Sequence, residues 1–142
     1  MKSTELIAFA VPDDDLQIVG TASGLRSLIR GLEEKGGRLV LPCRPAQQAR
    51  EHSVSAVEVI SSEDFDAVIV ADAAEQKRII IEGPAEKLRI LAANVRFLLS
   101  NQSPDASQHM HVEYFPDHFY LSERTVPLEI HLVASVRDLE KA

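Results

Sequence analysis

The run Gln108-His109-Met110-His111-Val112-Glu113-Tyr114-Phe115 holds the densest set of groups able to do chemistry in this 142-residue sequence. On a strand, period two puts His109, His111 and Glu113 on one face and Met110, Val112 and Tyr114 on the other. The run Leu128-Glu129-Ile130-His131-Leu132 repeats the pattern, with Glu129 and His131 facing one way and three apolar side chains the other. Paired, the two runs gather three imidazoles and two carboxylates on one face. Neutral imidazole nitrogen and carboxylate oxygen are donors that zinc and related divalent ions accept, and alternate residues on one strand can ligate a single ion. The same residues also supply the polar outer face that a half-buried antiparallel sheet needs. That second assignment is the simpler one, so no metal and no cofactor is assigned to them.

Other candidates are weaker. Cys43 lies in Leu41-Pro42-Cys43-Arg44-Pro45, where Arg44 can lower a thiol pKa, but nothing in the sequence fixes a base against it. Passive filling of a small apolar gap is the expectation for this cysteine. Gly20-Thr21-Ala22-Ser23-Gly24 opens a helix after a strand yet lacks the P-loop lysine and the dinucleotide fingerprint, so it reads as a tight turn. Asp13-Asp14-Asp15 between two apolar runs reads as a solvated hairpin turn. There is no ordered Ser/His/Asp set and no helical HExxH, which leaves catalysis without a warrant and predicts that the protein is not an enzyme.

The elements that must position these residues follow an approximate internal repeat. Leu16-Gln17-Ile18-Val19-Gly20 reads as a strand, and five residues beyond Gly20 begins the stripe Leu25, Leu28, Ile29, Leu32. Ile79-Ile80-Ile81-Glu82-Gly83 is followed at the same distance by Leu88, Leu91, Ala92, Val95. Spacing of i, i+3, i+4, i+7 marks one buried helical face. Thr21 caps the first helix, and Gly83-Pro84-Ala85-Glu86 puts proline and an acid in the first turn of the second. The helices are therefore predicted over 21–35 and 84–100.

Each helix is followed by two extended runs, Ser53 to Ile60 and Phe65 to Ala71 in the first half, Gln108 to Phe115 and Pro127 to Ala134 in the second. The first half also inserts 36–52, with a short strand from Arg38 to Leu41 and a turn of helix over Pro45 to Glu51, while Leu6 to Val11 adds an edge strand. The pattern predicts a single α+β domain over 1–142: a two-layer fold with one mainly antiparallel sheet of six or more strands and two helices on one face. Its plan is a duplicated βαββ unit over about 16–72 and 78–134, with the helices related by a pseudo-twofold.

Composition narrows the functional classes. Apolar content of 45% is ordinary for a globular domain, no apolar run is long enough for a membrane helix, and a single cysteine excludes an internal disulfide. A net charge of −7 argues against a nucleic-acid binder, whose affinity comes from a basic face, and suits a basic protein partner. The start of the chain reads as a strand running into acids and not as a signal peptide, so the expected location is the cytoplasm. Two stretches are apolar on both faces: Ala67, Ile69 and Ala71 alternate with Val68 and Val70, and Ile7 and Phe9 with Leu6, Ala8 and Ala10. Either the insertion over 36–52 covers the far face, or a second copy does, which predicts a homodimer through the sheet face or an edge strand.

The stretch from His109 to Leu128, with H-x-H-x-E-Y, P-x-H-x-Y-L and a hydroxyl residue (Thr125) two before Pro127-Leu128, resembles the C-terminal pattern of the immunity-protein-32 family of bacterial polymorphic toxin systems. The glycine-then-helix unit from Gly83 to Leu99 belongs to the same resemblance, which spans about 78–134, somewhat under half the chain. It implies a cytosolic bacterial protein that binds and neutralises a cognate protein toxin. A secretion chaperone fits the acidic charge and apolar faces but not the motif, and a metal-dependent enzyme fits the His/Glu face alone. The noncatalytic inhibitor fits most, with His109, His111, Glu113, Tyr114, His118, Tyr120, Glu129 and His131 as the surface that meets the partner.

Overall fold

The computed structural model describes residues 5–11, 15–34, 37–46, 52–100 and 108–140. Its strands are β1 (Leu6–Ala10), β2 (Leu16–Gly20), β3 (Gly37–Pro42), β4 (Ser53–Val54), β5 (Ala56–Ser61), β6 (Ile69–Ala73), β7 (Arg78–Gly83), β8 (Gln108–Val112) and β9 (Leu128–Leu132). The helices are α1 (Ala22–Glu33), α2 (Ala85–Ser100) and α3 (Val136–Glu140). The α+β class is as the pattern requires, and α1 and α2 fall within two residues of their predicted bounds. The turn of helix expected over 45–51 lies largely outside the described residues, as does most of the acidic hairpin turn.

Local chemistry fixes both helix starts. The Thr21 hydroxyl oxygen accepts from Gly24 N–H at 3.2 Å and the hydroxyl donates to the Glu5 carboxylate, so the first turn of α1 is capped from within the chain. A Cβ on Gly24 would lie 2.1 Å from the Glu5 carbonyl oxygen, so only glycine lets the helix approach that backbone. These contacts support the tight-turn reading of Gly20 to Gly24. At α2 the Glu63 carboxylate accepts from Ala85 N–H at 3.0 Å, an anion at the positive end of the helix dipole. The stripes Leu25, Leu28, Ile29, Leu32 and Leu88, Leu91, Ala92, Val95 are all buried, and each large side chain among them contributes roughly 1.5–3 kcal/mol relative to exposure.

The sheet differs from the expectation of a single one. Five strands run β4-β1-β2-β9-β8 and four run β3-β5-β7-β6. The pairs β2/β9 and β5/β7 are parallel and the other five are antiparallel. Both sheets contain the same succession: the strand leading into a helix (β2, β7) pairs antiparallel with its predecessor (β1, β6) and parallel with a strand that follows the other helix (β9, β5), so that β6, expected in the first repeat, here pairs with β7 of the second. The strand β9 or β5 then pairs antiparallel with the first strand after that same helix (β8, β3). The correspondence reaches single hydrogen bonds, since Gly20 C=O accepts from Val133 N–H and Gly83 C=O from Ser62 N–H. The two halves are thus interlocked, each sheet taking strands from both. One core holds the inner faces of both sheets and the buried stripes of α1 and α2.

Two further expectations change. β1 is interior, flanked by β4 and β2, because Ser53 and Val54 pair with Phe9 and Ala8. Its far face is covered by this chain itself: Ile7 and Val19 pack with Ala46 of the insertion and Leu139 of α3. Sequence reading missed α3, although Ser135-Val136-Arg137-Asp138 is a helix-start pattern, and Asp138 N–H donates to Ser135 Oγ at 3.3 Å. Val68, just before β6, and Val70 within it are buried in the core with Ile79 and Ile81, leaving Ile69 and Ala71 half-buried on the outer face. That face also carries Glu58, buried between Arg38 and Arg78, each 2.9 Å away.

Candidate functional site

Strand alternation and register build the site. Met110, Val112, Leu128, Ile130 and Leu132 belong to the core side, which turns the intervening residues of β8 and β9 outward. The antiparallel pairing places His109 opposite His131 and His111 opposite Glu129. The parallel pairing on the other side of β9 sets Gln17 beside Glu129 and Val19 beside His131. Two rungs therefore cross three strands: Gln17, Glu129, His111 and Val19, His131, His109.

The side chains hold one another. The rings of His109 and His131 stack at 5.1 Å between centroids, and His111 meets His109 edge-on at 5.1 Å. His131 Nε2 is 2.7 Å from Gln17 Oε1 and 3.3 Å from Glu129 Oε1. A donor distance of 2.7 Å to an amide oxygen requires the proton on Nε2. Burial pushes the His131 imidazole below its usual pKa, opposed by the Glu129 carboxylate and reinforced by the neighbouring His109. A hydrogen bond with Asp15 holds Glu129 below the usual carboxylate range, helped by Gln17 and the charges of His111 and His131. One donor atom each from His109, His111 and Glu129 lie within 4.8 Å of one another. The patch thus offers imidazole nitrogens, an ionised carboxylate and an amide on a rigid sheet, able to receive a basic group or a cation.

The remaining predicted residues separate. Glu113 follows the last rung and is exposed, continuing the outward row without joining the cluster. Tyr114 is half-buried and packs against the core. Tyr120 is 4% exposed, with its hydroxyl 3.1 Å from the Asn94 amide, so its place beside the outward histidines is corrected: the ring is a core element. Burial pushes its phenol up. His118 Nδ1 accepts from Tyr120 N–H at 3.3 Å and Leu121 N–H at 3.1 Å, which makes it the organiser of the turn after β8. Its ring packs against Phe115 and Tyr120 at 4.6 Å and stacks on Phe119 at 5.7 Å. Burial pushes its imidazole down as well. Two aromatic residues not predicted to face solvent, Phe115 and Phe119, are exposed on this turn.

Beyond the turn, Thr125 is buried: its hydroxyl donates to Val68 C=O at 3.2 Å and accepts from Val70 N–H at 3.3 Å. Backbone bonds from Ser122 and Val126 to the same two residues lay residues 120–126 along the outer edge of β6. Asp15 and Gln17 were missed because their contact with Glu129 depends on parallel pairing across 112 positions of sequence. An outward Gln17 on an otherwise apolar strand was the one signal available. Cys43 is half-buried, and burial pushes its thiol up to about 12, the state of a passive cysteine.

Comparison with curated proteins and with solved structures returned no match. A family model does match, over residues 78–133, the span from β7 through α2 and β8 to β9. Every predicted site residue falls inside that span, whereas Asp15 and Gln17 fall outside it. The segment of this chain that presents the His/Glu patch carries the pattern of the family described as Immunity protein 32.

Proposed function

We propose that this protein is a noncatalytic immunity protein that binds and neutralises a cognate bacterial toxin in the cytoplasm of the cell that makes both. The observation that carries the reading is the match of residues 78–133 to Immunity protein 32, over the elements that build the outward face of β8 and β9. The contact surface in this proposal is His109, His111, Glu113, Glu129 and His131, with Phe115 and Phe119 beside them supplying the exposed aromatic area that interfaces favour. Carboxylates on an acidic protein of net charge −7 suit a basic partner. His118, Tyr114 and Tyr120 act behind this surface by shaping the turn.

Replacing Glu113 and Glu129 together by alanine should weaken protection of cells expressing the toxin and lower toxin capture in a pull-down, with an unchanged circular dichroism spectrum. Full protection by the double variant would remove this face from the proposal.

Self-association belongs to the same proposal in a narrowed form. Residues 120–126 occupy the edge of β6, which leaves the half-exposed strip of Ile69, Ala71 and Ile80 on the outer sheet face as the surface for a twofold contact. Light scattering at tens of micromolar, about the range where weak dimers form, should read above the monomer mass, and a mass of 15.7 kDa discards the dimer.

A further inference from the structure

We infer that His109, His111 and Glu129 form a binding site for one divalent transition-metal ion of the zinc class. Donor chemistry, spacing and support each point that way. Two imidazoles and one carboxylate form a set suited to zinc and its neighbours, whereas calcium and magnesium require oxygen donors throughout. His109 and His111 alternate on β8, and Glu129 stands directly opposite His111 on β9, so both strands fix the three Cβ positions before any metal arrives.

The donor atoms lie within 4.8 Å of one another, while ligands about 2.0–2.2 Å from a tetrahedral ion stand roughly 3.4 Å apart. His109 and His111 are exposed, which leaves their rings room to turn toward a shared ion. Neighbouring groups already hold the ligands: His131 stacks on the ring of His109 and sits 3.3 Å from Glu129 Oε1, while Gln17 anchors His131 at 2.7 Å. Groups of this kind orient metal ligands and strengthen binding. With three protein ligands on an exposed face, the fourth position opens to solvent, where water or a partner's side chain can enter.

The site shares His109, His111 and Glu129 with the proposed partner surface, but the two readings are tested separately, since metal can be assayed without a toxin and protection without added metal. The experiment uses the full chain purified without an affinity tag, stripped with a chelator and titrated with zinc chloride by calorimetry, with cobalt(II) absorption as a second probe. One ion per chain is expected, with a melting temperature that rises on zinc addition and falls back with chelator. His111→Ala and Glu129→Gln should each weaken binding by at least about tenfold, and His52→Gln, on an exposed residue outside the cluster, should leave it unchanged. Glu129→Gln preserves side-chain shape and carries the test should His111→Ala disturb the strand. Absence of saturable binding, or binding equally strong in both ligand variants, overturns the site. Failure of the unaltered chain to protect cells from the toxin while it binds one zinc ion counts against the toxin reading alone.

Discussion

The outward row of β8 and β9 and the turn that follows β8 come from one continuous stretch, yet they use polar residues in opposite ways. In the row, His109, His111, Glu129 and His131 reach across strands toward each other and solvent, and the backbone is already satisfied by the sheet. In the turn, His118 and Thr125 spend their polar atoms on backbone groups: His118 accepts from two amides, and Thr125 bridges Val68 and Val70 at the start of β6. A strand hydrogen-bonds its own backbone and frees its side chains for ligands. The irregular segment of 15 residues between β8 and β9 satisfies only part of its backbone through local turns and bonds to Val68 and Val70, and side chains supply further partners. A histidine in a motif therefore has a role set by where its backbone's hydrogen bonds go, and the match to Immunity protein 32 contains both kinds.

That contrast breaks most sharply at Tyr120. Truncating this buried ring to alanine should cost roughly 3–5 kcal/mol by urea denaturation, and Thr125→Val, which takes the hydroxyl acceptor from the Val70 amide while Val68 C=O keeps its bond from Ser122 N–H, about 1–3 kcal/mol. If either variant is as stable as the parent, the turn is not the structural half of the pair.

His118 sharpens the comparison through pH. Its neutral Nδ1 accepts two hydrogen bonds, and burial holds the folded pKa below the usual value near 6.5. Protons then bind the unfolded chain more readily, so this contribution to stability is complete above about pH 6.5 and is lost as pH falls through that value toward the folded pKa. The urea midpoint should drop between about pH 7.5 and 5.5, and His118→Gln should flatten part of that slope. His131, also pushed down by burial, accounts for a further part that His131→Gln isolates. An identical slope in all three proteins would show that neither ring is held neutral.

The smallest effect belongs to the row. The double replacement of Glu113 and Glu129 should change stability by no more than about 0.5–1 kcal/mol, even while it weakens protection. A much larger loss would make the row structural too and erase the distinction.

Elements with strong local signals were legible before the structure. Glycine followed by an apolar stripe gave both main helices, because helix periodicity, capping and chain direction are encoded within some fifteen residues. The inward and outward sides of β8 and β9 were equally legible, since alternation needs no knowledge of neighbours. The short helix at 136–140 was signalled by Ser135 and Asp138 but has too few turns to show a periodicity. Tyr120 was misplaced because aromatic residues in an irregular segment have no period from which to read a direction.

What the sequence determined by itself was thus the set of elements, the buried face of each, and the co-linear pair of strands bearing histidines and carboxylates. Only the tertiary structure decided that the strands form two sheets, each taking strands from both halves, with β2 delivering Gln17 and Asp15 to Glu129. The reason is physical: periodicity records which face meets apolar surroundings, and every partner in a shared core offers the same apolar surface. Which strand pairs with which depends on the simultaneous packing of α1, α2 and the strands of both sheets around that core.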